Sequence, residues 1–373
     1  MQEFTAEELF GEFESNLEFV IVDIRNSEDY SRFSIEGPRT IDNLNIPFDD
    51  FLNDEEQSIA QIPVDKAVRV ICAKEESSAM IAAIIKANGF NNIGFLKGGI
   101  NSWGDLLIPK LVNDEGYELW QFIRPAKASC SYALINNEGM FLFDPSRRVD
   151  FYTNFLESKG VVLKMVFETH LQADYLSGGP SFEALYAVHE ADFSSAPFDF
   201  HSLQDDEIFN LEDIQVRCIH SPGHTLGSMT YIIDDKWMIS GDTVFIVSIG
   251  RPDLGKKVVE WSRTLFNTLK TRISNLPEDL VVLPSHFSDW GKEADQNLCI
   301  SKVFSEVMAS NEEIYGITDV EQFVSWVQEN MREQPPEYND IRLFNCGMLE
   351  IDDDQKRVLD LGKNQCAVSA HLR

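Results

Sequence analysis

Short apolar runs alternate along this chain with stretches of helical spacing, which is the pattern of an α/β protein with a mostly parallel sheet. Residues 19–24 and 68–72 read as buried strands. The next stretch, 77–88, carries Met80, Ile81, Ile84 and Ile85 at helical spacing and closes at Gly89. Residues 93–96 supply another strand, with a turn at Gly98 and Gly99, so that 1–110 reads as one small α/β domain. A linker at 111–116 then leads into a second domain, 117–373, which has an extension from about residue 301. That domain opens with hairpins at 117–122 and 131–143. A helix at 150–158, a buried strand at 161–167 and a helix at 180–185 follow. Asp234 and Asp235 make the turn of a hairpin joining 229–233 to 236–240. Residues 258–273 form an amphipathic helix, and 301–331 are helical with a core stripe of Val303, Val307, Phe323 and Val327.

Length and composition agree with two soluble domains: there are 373 residues, 43% of them apolar, and no apolar run long enough to span a bilayer. A net charge of −31 repels polyphosphate backbones and anionic lipid, so neither nucleic acid nor a membrane is expected as a partner. The acidic N-terminus lacks the basic start and apolar core of a signal peptide. Six scattered cysteines without a C-x-x-C suit a reducing compartment, so a cytoplasmic location is expected. Oligomeric state, including a homo-oligomer, is left open by the sequence.

The candidate chemistry sits at four strand ends. The run 161–167 ends in Thr169-His170, with Gln172 and Asp174 alternating after it, and three later segments end in His224, Asp242 and His286. Together they resemble the metallo-β-lactamase fold over roughly residues 117–290, which implies an αββα sandwich. The chain departs from the family's H-x-H-x-D-H loop in having Gln172 and Tyr175 at two histidine positions. Neither is a good zinc donor, which weakens a two-zinc site. His170, His224 and Asp242 remain, and two imidazoles with one carboxylate make the facial triad of non-haem Fe(II) oxygenases. The segments SCSYALINNEGMFLFD and GDTVFIVSIGRPDLG resemble the persulfide dioxygenase branch of this superfamily. The resemblance implies one Fe(II) per chain on the triad, a thiol persulfide and O2 as substrates, and sulfite and thiol as products. Arg251 is then expected to hold a carboxylate of the thiol carrier, His286 to line the substrate pocket, and Tyr175 to act beside the metal. Arg147 and Arg148 are further candidates for binding an anion.

Cys72 ends a strand ahead of a helix N-terminus, where N–H groups favour a thiolate. VDIRNSEDY, NIPFDDF, VICAKEESSAMIAAIIKANGF and GFLKGGINSW resemble, in order, a rhodanese domain, and this implies that Cys72 carries sulfur in a loop spanning 73–78. Glu75 and Glu76 in that loop disfavour thiosulfate as the donor. The whole chain is therefore read as a rhodanese-like domain fused to a metallo-β-lactamase-like domain of the persulfide dioxygenase type. Two alternatives stay open: a zinc-dependent thioester hydrolase of the glyoxalase II type, and a non-catalytic sulfur carrier.

Overall fold

The computed structural model describes residues 1–368 and divides into two units. The first is built on a five-stranded, all-parallel sheet, in the spatial order Gln2–Phe4, Ile93–Leu96, Ala67–Ile71, Phe19–Asp23, Asp42–Asn45. Val20, Val22, Val68 and Val70 of the inner strands pack with Ile81 and Ile85 of the helix Glu75–Ala87. That helix begins two residues before the predicted start, because Glu75 and Glu76 in its first turn favour the positive end of its dipole. A helix not read from the sequence, Ala6–Glu14, is fixed by a capping box between Thr5 and Glu8.

The second unit contains two sheets among its described residues. One has seven strands, in the order His201–Ser202, Leu185–Val188, Leu163–Phe167, Gly139–Phe143, Ser129–Asn136, Glu118–Arg124, Ile108–Asn113. The other has six, in the order Ile208–Leu211, Ile214–His220, Met229–Ile233, Trp237–Gly241, Val281–Pro284, Lys302–Val303. Their faces meet in an aromatic cluster. Phe143 and Phe167 from the first sheet stack at 4.9 Å, and Tyr231 from the second lies 5.3 Å from Phe143. The helix Val258–Thr271 packs on the helix Val320–Asn330 through Phe266 and Phe323, whose centroids are 5.4 Å apart.

Two stretches differ from the sequence reading. Of residues 111–116, expected as a linker, the first three belong to the strand Ile108–Asn113, with Leu111 and Val112 half-buried at the sheet edge. The helix expected at 180–185 is a single 3-10 turn, Gly179–Ser181, followed by the strand Leu185–Val188. Pairing decides that case: Leu185, Tyr186 and Ala187 run parallel to Met165, Val166 and Phe167. The extension forms the helices Phe304–Ser310, Glu312–Tyr315, Val320–Asn330, Tyr338–Asn345 and Asp353–Leu359. It then returns to the loop at 249–251, where Gly250 bridges Ala367 and the Val368 N–H donates to the Ile249 carbonyl at 2.9 Å. Its last residues, 369–373, lie outside the described residues. Among those described, no helix is long and apolar enough to cross a membrane.

Candidate metal centre

Strand ends from both sheets of the second unit converge on one buried point. Leu163–Phe167 delivers His170 two residues past Glu168, and Trp237–Gly241 delivers Asp242. The two ends approach so closely that a Cβ on Gly241 would stand 2.8 Å from the Thr169 Cβ. Gly241 also has φ +58°, a conformation that glycine adopts without strain. His224 comes from the loop after Ile214–His220, and its Nε2 lies 3.3 Å from Asp242 Oδ2; His170 Nε2 lies 3.6 Å from the same oxygen.

These three residues fit a metal ion. Their donor atoms lie within 4.8 Å of one another. Donors about 2.1 Å from a shared ion stand roughly 3.0–3.4 Å apart, close to the distances found here. All three side chains are buried, and His170 Nε2, His224 Nε2 and Asp242 Oδ2 have no hydrogen-bond partner. Buried polar atoms without partners are costly unless something else answers them.

The other face of each imidazole is already fixed. His224 Nδ1 lies 2.9 Å from the Arg251 carbonyl, which only accepts, so the proton is on Nδ1 and Nε2 keeps its lone pair. At His170 the same outcome is reached through a hydroxyl. Thr169 Oγ1 donates its proton to Asp144 Oδ2 at 2.8 Å, which leaves it to accept from His170 Nδ1, also at 2.8 Å. Asp144 is held by the Thr169 N–H at 2.7 Å and by Ser285 Oγ at 2.5 Å. Burial lowers His170 to a pKa of about 3 and also holds His224 below the ordinary value, so both rings are neutral ligands. Burial alone would raise the Asp242 carboxyl, but His286, His170 and His224 outweigh it and hold that group ionised.

His286 lies outside the triad. Its Nδ1 is 2.6 Å from Asp242 Oδ1 and its Nε2 is 2.9 Å from Asp174 Oδ2. Burial opposes its charge, yet Asp174 and Asp242 outweigh that and push its pKa up to about 10. Asp174 and His286 belong instead to a second donor group with Cys366, one of the six scattered cysteines and a buried free thiol. The alternating residues of the first loop are thus divided: His170 faces the triad and Asp174 the second group. The Gln172 amide between them is buried with neither atom hydrogen-bonded.

Two expected roles need correcting. The Tyr175 hydroxyl donates to the Asp144 carbonyl at 3.1 Å, so the ring packs 5.9 Å from His286 with its proton already committed. Arg251, expected to grip substrate, is 1% exposed and internally satisfied. Its Nε and Nη2 donate to Asp253 at 2.6 and 2.8 Å, Nη1 to the Gln365 carbonyl, and Nη2 also to the Arg332 carbonyl. What Arg251 presents to the centre is its backbone carbonyl. Arg147 and Arg148 are likewise paired, with Asp360 at 2.7 Å and Asp150 at 3.0 Å.

In the first unit, Cys72 follows the strand Ala67–Ile71 and is nearly buried, and its carbonyl accepts from the Ile100 N–H at 2.8 Å. The expected loop 73–78 is cut short, because the helix already starts at Glu75. The Glu75 carboxylate accepts from the Gly98 N–H at 2.9 Å.

Comparison with known proteins agrees with this architecture. Residues 5–106 match the rhodanese-like domain family. A metallo-β-lactamase structure from Staphylococcus aureus aligns with 64% of this chain and 74% of its own, with a TM-score of 0.56 and 19% identity, which gives the fold of the second unit. The chain is therefore a rhodanese-like domain joined to a unit of metallo-β-lactamase fold. Among curated proteins, the probable polyketide biosynthesis zinc-dependent hydrolase BaeB of Bacillus velezensis is 26% identical over 57% of this chain and 94% of its own length. The human mitochondrial persulfide dioxygenase ETHE1 is 27% identical over 45% of this chain and 67% of its own length.

Proposed function

We propose that the second unit is an iron-dependent persulfide dioxygenase, converting a low-molecular-weight thiol persulfide, O2 and water to the thiol, sulfite and protons. The carrying observation is the buried donor set of His170 Nε2, His224 Nε2 and Asp242 Oδ2, without a further imidazole among the described residues completing a first-loop cage. Two imidazoles and one carboxylate leave open positions and favour Fe(II), which when bound supplies the means of bringing O2 and a sulfur anion together. The chain's own contribution is positional. Asp144, Thr169 and the Arg251 carbonyl hold both imidazoles in the Nε2-open tautomer, and His286 fixes Asp242 through Oδ1. The sheets exclude bulk water from the centre, which protects a reactive sulfur species. Similarity to human ETHE1 supports this reading. In the first unit, Cys72 would carry sulfane sulfur as a persulfide.

The test is oxygen uptake and sulfite formation by the full chain, reconstituted anaerobically with Fe(II) and given glutathione persulfide, beside His224→Ala. Uptake that is lost in the variant is the expected result. Iron bound in full without uptake would overturn the proposal. A second reading, a zinc-dependent thioester hydrolase, is favoured by the Asp174, His286 and Cys366 group and by the similarity to BaeB. Hydrolysis of a glutathione thioester by the zinc-loaded chain, with no persulfide oxidation by the iron-loaded one, would select it.

A further inference from the structure

We propose that Asp192 is a positioning residue for the triad, a single carboxylate that sets the separation of the two histidine loops by binding the residue after each ligand. Asp192 sits on the one-turn helix Glu190–Phe193 and is half-buried. Its Oδ2 accepts from the Leu171 N–H at 3.1 Å and from the Thr225 hydroxyl at 2.6 Å, and its Oδ1 accepts from the Gly227 N–H at 2.9 Å. Leu171 follows His170 and Thr225 follows His224.

An acidic residue in the first turn of a helix ordinarily serves that helix, through its dipole or its own free N–H groups. Asp192 reaches elsewhere: its three donors lie 21, 33 and 35 residues away in sequence. The approach is built in, since a Cβ on Gly227 would stand 2.6 Å from Asp192 Cγ. Bonds to an ionised acceptor are also stronger than bonds between neutral groups.

The two loops need such a tie because they leave different sheets. His170 follows the strand Leu163–Phe167 of the seven-stranded sheet and His224 follows Ile214–His220 of the six-stranded one. On the other flank of His170 the Met229 N–H donates to the Thr169 carbonyl at 2.6 Å. His170 is therefore held on both sides from residues 225–229, directly by Met229 and through Asp192 by Thr225 and Gly227. The helix that carries Asp192 is fixed to the same stretch a second time. His189 caps it by accepting from the Ala191 N–H at 3.2 Å, and its ring stacks on His220 at 4.2 Å with 5° between the planes. His220 Nε2 in turn donates to the Leu226 carbonyl at 2.9 Å. The contacts at each imidazole Nδ1 settle the tautomer, whereas Asp192 settles how far apart the two rings stand, with centroids at 4.8 Å.

This inference rests on the triad being a metal site and not on the oxidation proposed for it. The full chain, stripped of metal, is loaded with Co(II). Affinity is measured by chelator competition and ligand geometry by visible absorption at saturation, with His224→Ala subtracted to isolate the triad's share. Asp192→Asn keeps the side chain's size but sets an amide N–H against a backbone N–H whichever way it turns. It is expected to weaken binding by about tenfold and to shift the visible bands of the saturated protein. Thr225→Val is expected to move both readouts the same way, and Thr225→Ser to restore them. Phe323→Ala, which opens a cavity between helices, is expected to lower the denaturant midpoint but leave affinity and bands unchanged. Wild-type affinity and bands in Asp192→Asn, or an equal change in Phe323→Ala, would overturn the proposal. Should Asp192→Asn fail to fold by circular dichroism, the two Thr225 variants decide, and identical behaviour of valine and serine overturns it. A wild type that binds no Co(II) at the triad overturns the metal-site reading and this inference with it, whereas unchanged variants of a metal-binding wild type overturn this inference alone.

Discussion

Replacing Thr169 by valine removes a single hydroxyl that stands between Asp144 and His170. Asp144 loses little, because its carboxylate keeps the Thr169 N–H at 2.7 Å and Ser285 Oγ at 2.5 Å. His170 loses the partner of its Nδ1, at 2.8 Å, inside a core where its side chain is 1% exposed. A buried ring N–H left unanswered costs about 1–3 kcal/mol. The ring can escape much of that cost by moving its proton to Nε2, but it then presents an N–H where a lone pair is needed. Metal affinity is therefore expected to fall by about 10–100-fold, equivalent to about 1.4–2.8 kcal/mol, while the metal-free chain loses about 1–2 kcal/mol of stability. Chelator competition with Co(II) measures the first quantity and denaturant unfolding of the metal-free chain the second. Thr169→Ser retains the hydroxyl and is expected to bind metal much as the wild type does. Wild-type affinity in Thr169→Val, or equal weakening in the serine variant, would refute the relay from Asp144 to the imidazole.

Three further outcomes follow from contacts at the two candidate sites. Gly250→Ala would place a Cβ 1.9 Å from the Asp242 carbonyl and 2.9 Å from His224 Nδ1, so the variant is expected to bind no metal at the triad by the same competition assay. Arg251→Gln breaks an ion pair with Asp253 whose arginine is 1% exposed. It is expected to destabilise the chain by about 3 kcal/mol in denaturant unfolding, whereas a rise in KM at unchanged stability would restore Arg251 as a substrate ligand. Cys72→Ser is expected to abolish sulfur transfer from a persulfide donor while leaving oxygen uptake by the iron-loaded chain intact; loss of both activities would show that Cys72 acts within the oxidation itself.

Much of this arrangement was legible in the sequence because the ligands sit at the ends of strongly apolar strands. Runs such as 161–167 and 229–233 admit few other readings, and a histidine or aspartate just beyond such a run is carried to a sheet edge. The errors fall where pairing overrules local pattern. Leu185–Val188 is short enough to be read as part of a helix until its parallel partner, Met165 to Phe167, is known. Pro109 to Asn113 looks polar until its half-buried Leu111 and Val112 are seen to close a sheet edge.

Arg251 shows a different difficulty. The sequence marks its position as part of the site but cannot say that the backbone carbonyl does the work, because Asp253, two residues on, takes up the guanidinium charge. The supporting hydroxyls did leave a trace: Thr169-His170 and Ser285-His286 repeat one dipeptide pattern at two strand ends, and both hydroxyls meet on Asp144. Cys366 left none. It lies roughly eighty residues beyond His286, in a tail without periodic signal, and its distance from Asp174 is set by three backbone contacts to residues 249–251 that no local pattern encodes. A donor set assembled from strand ends can be read one strand at a time, whereas a donor brought by a returning tail becomes visible only when the fold closes.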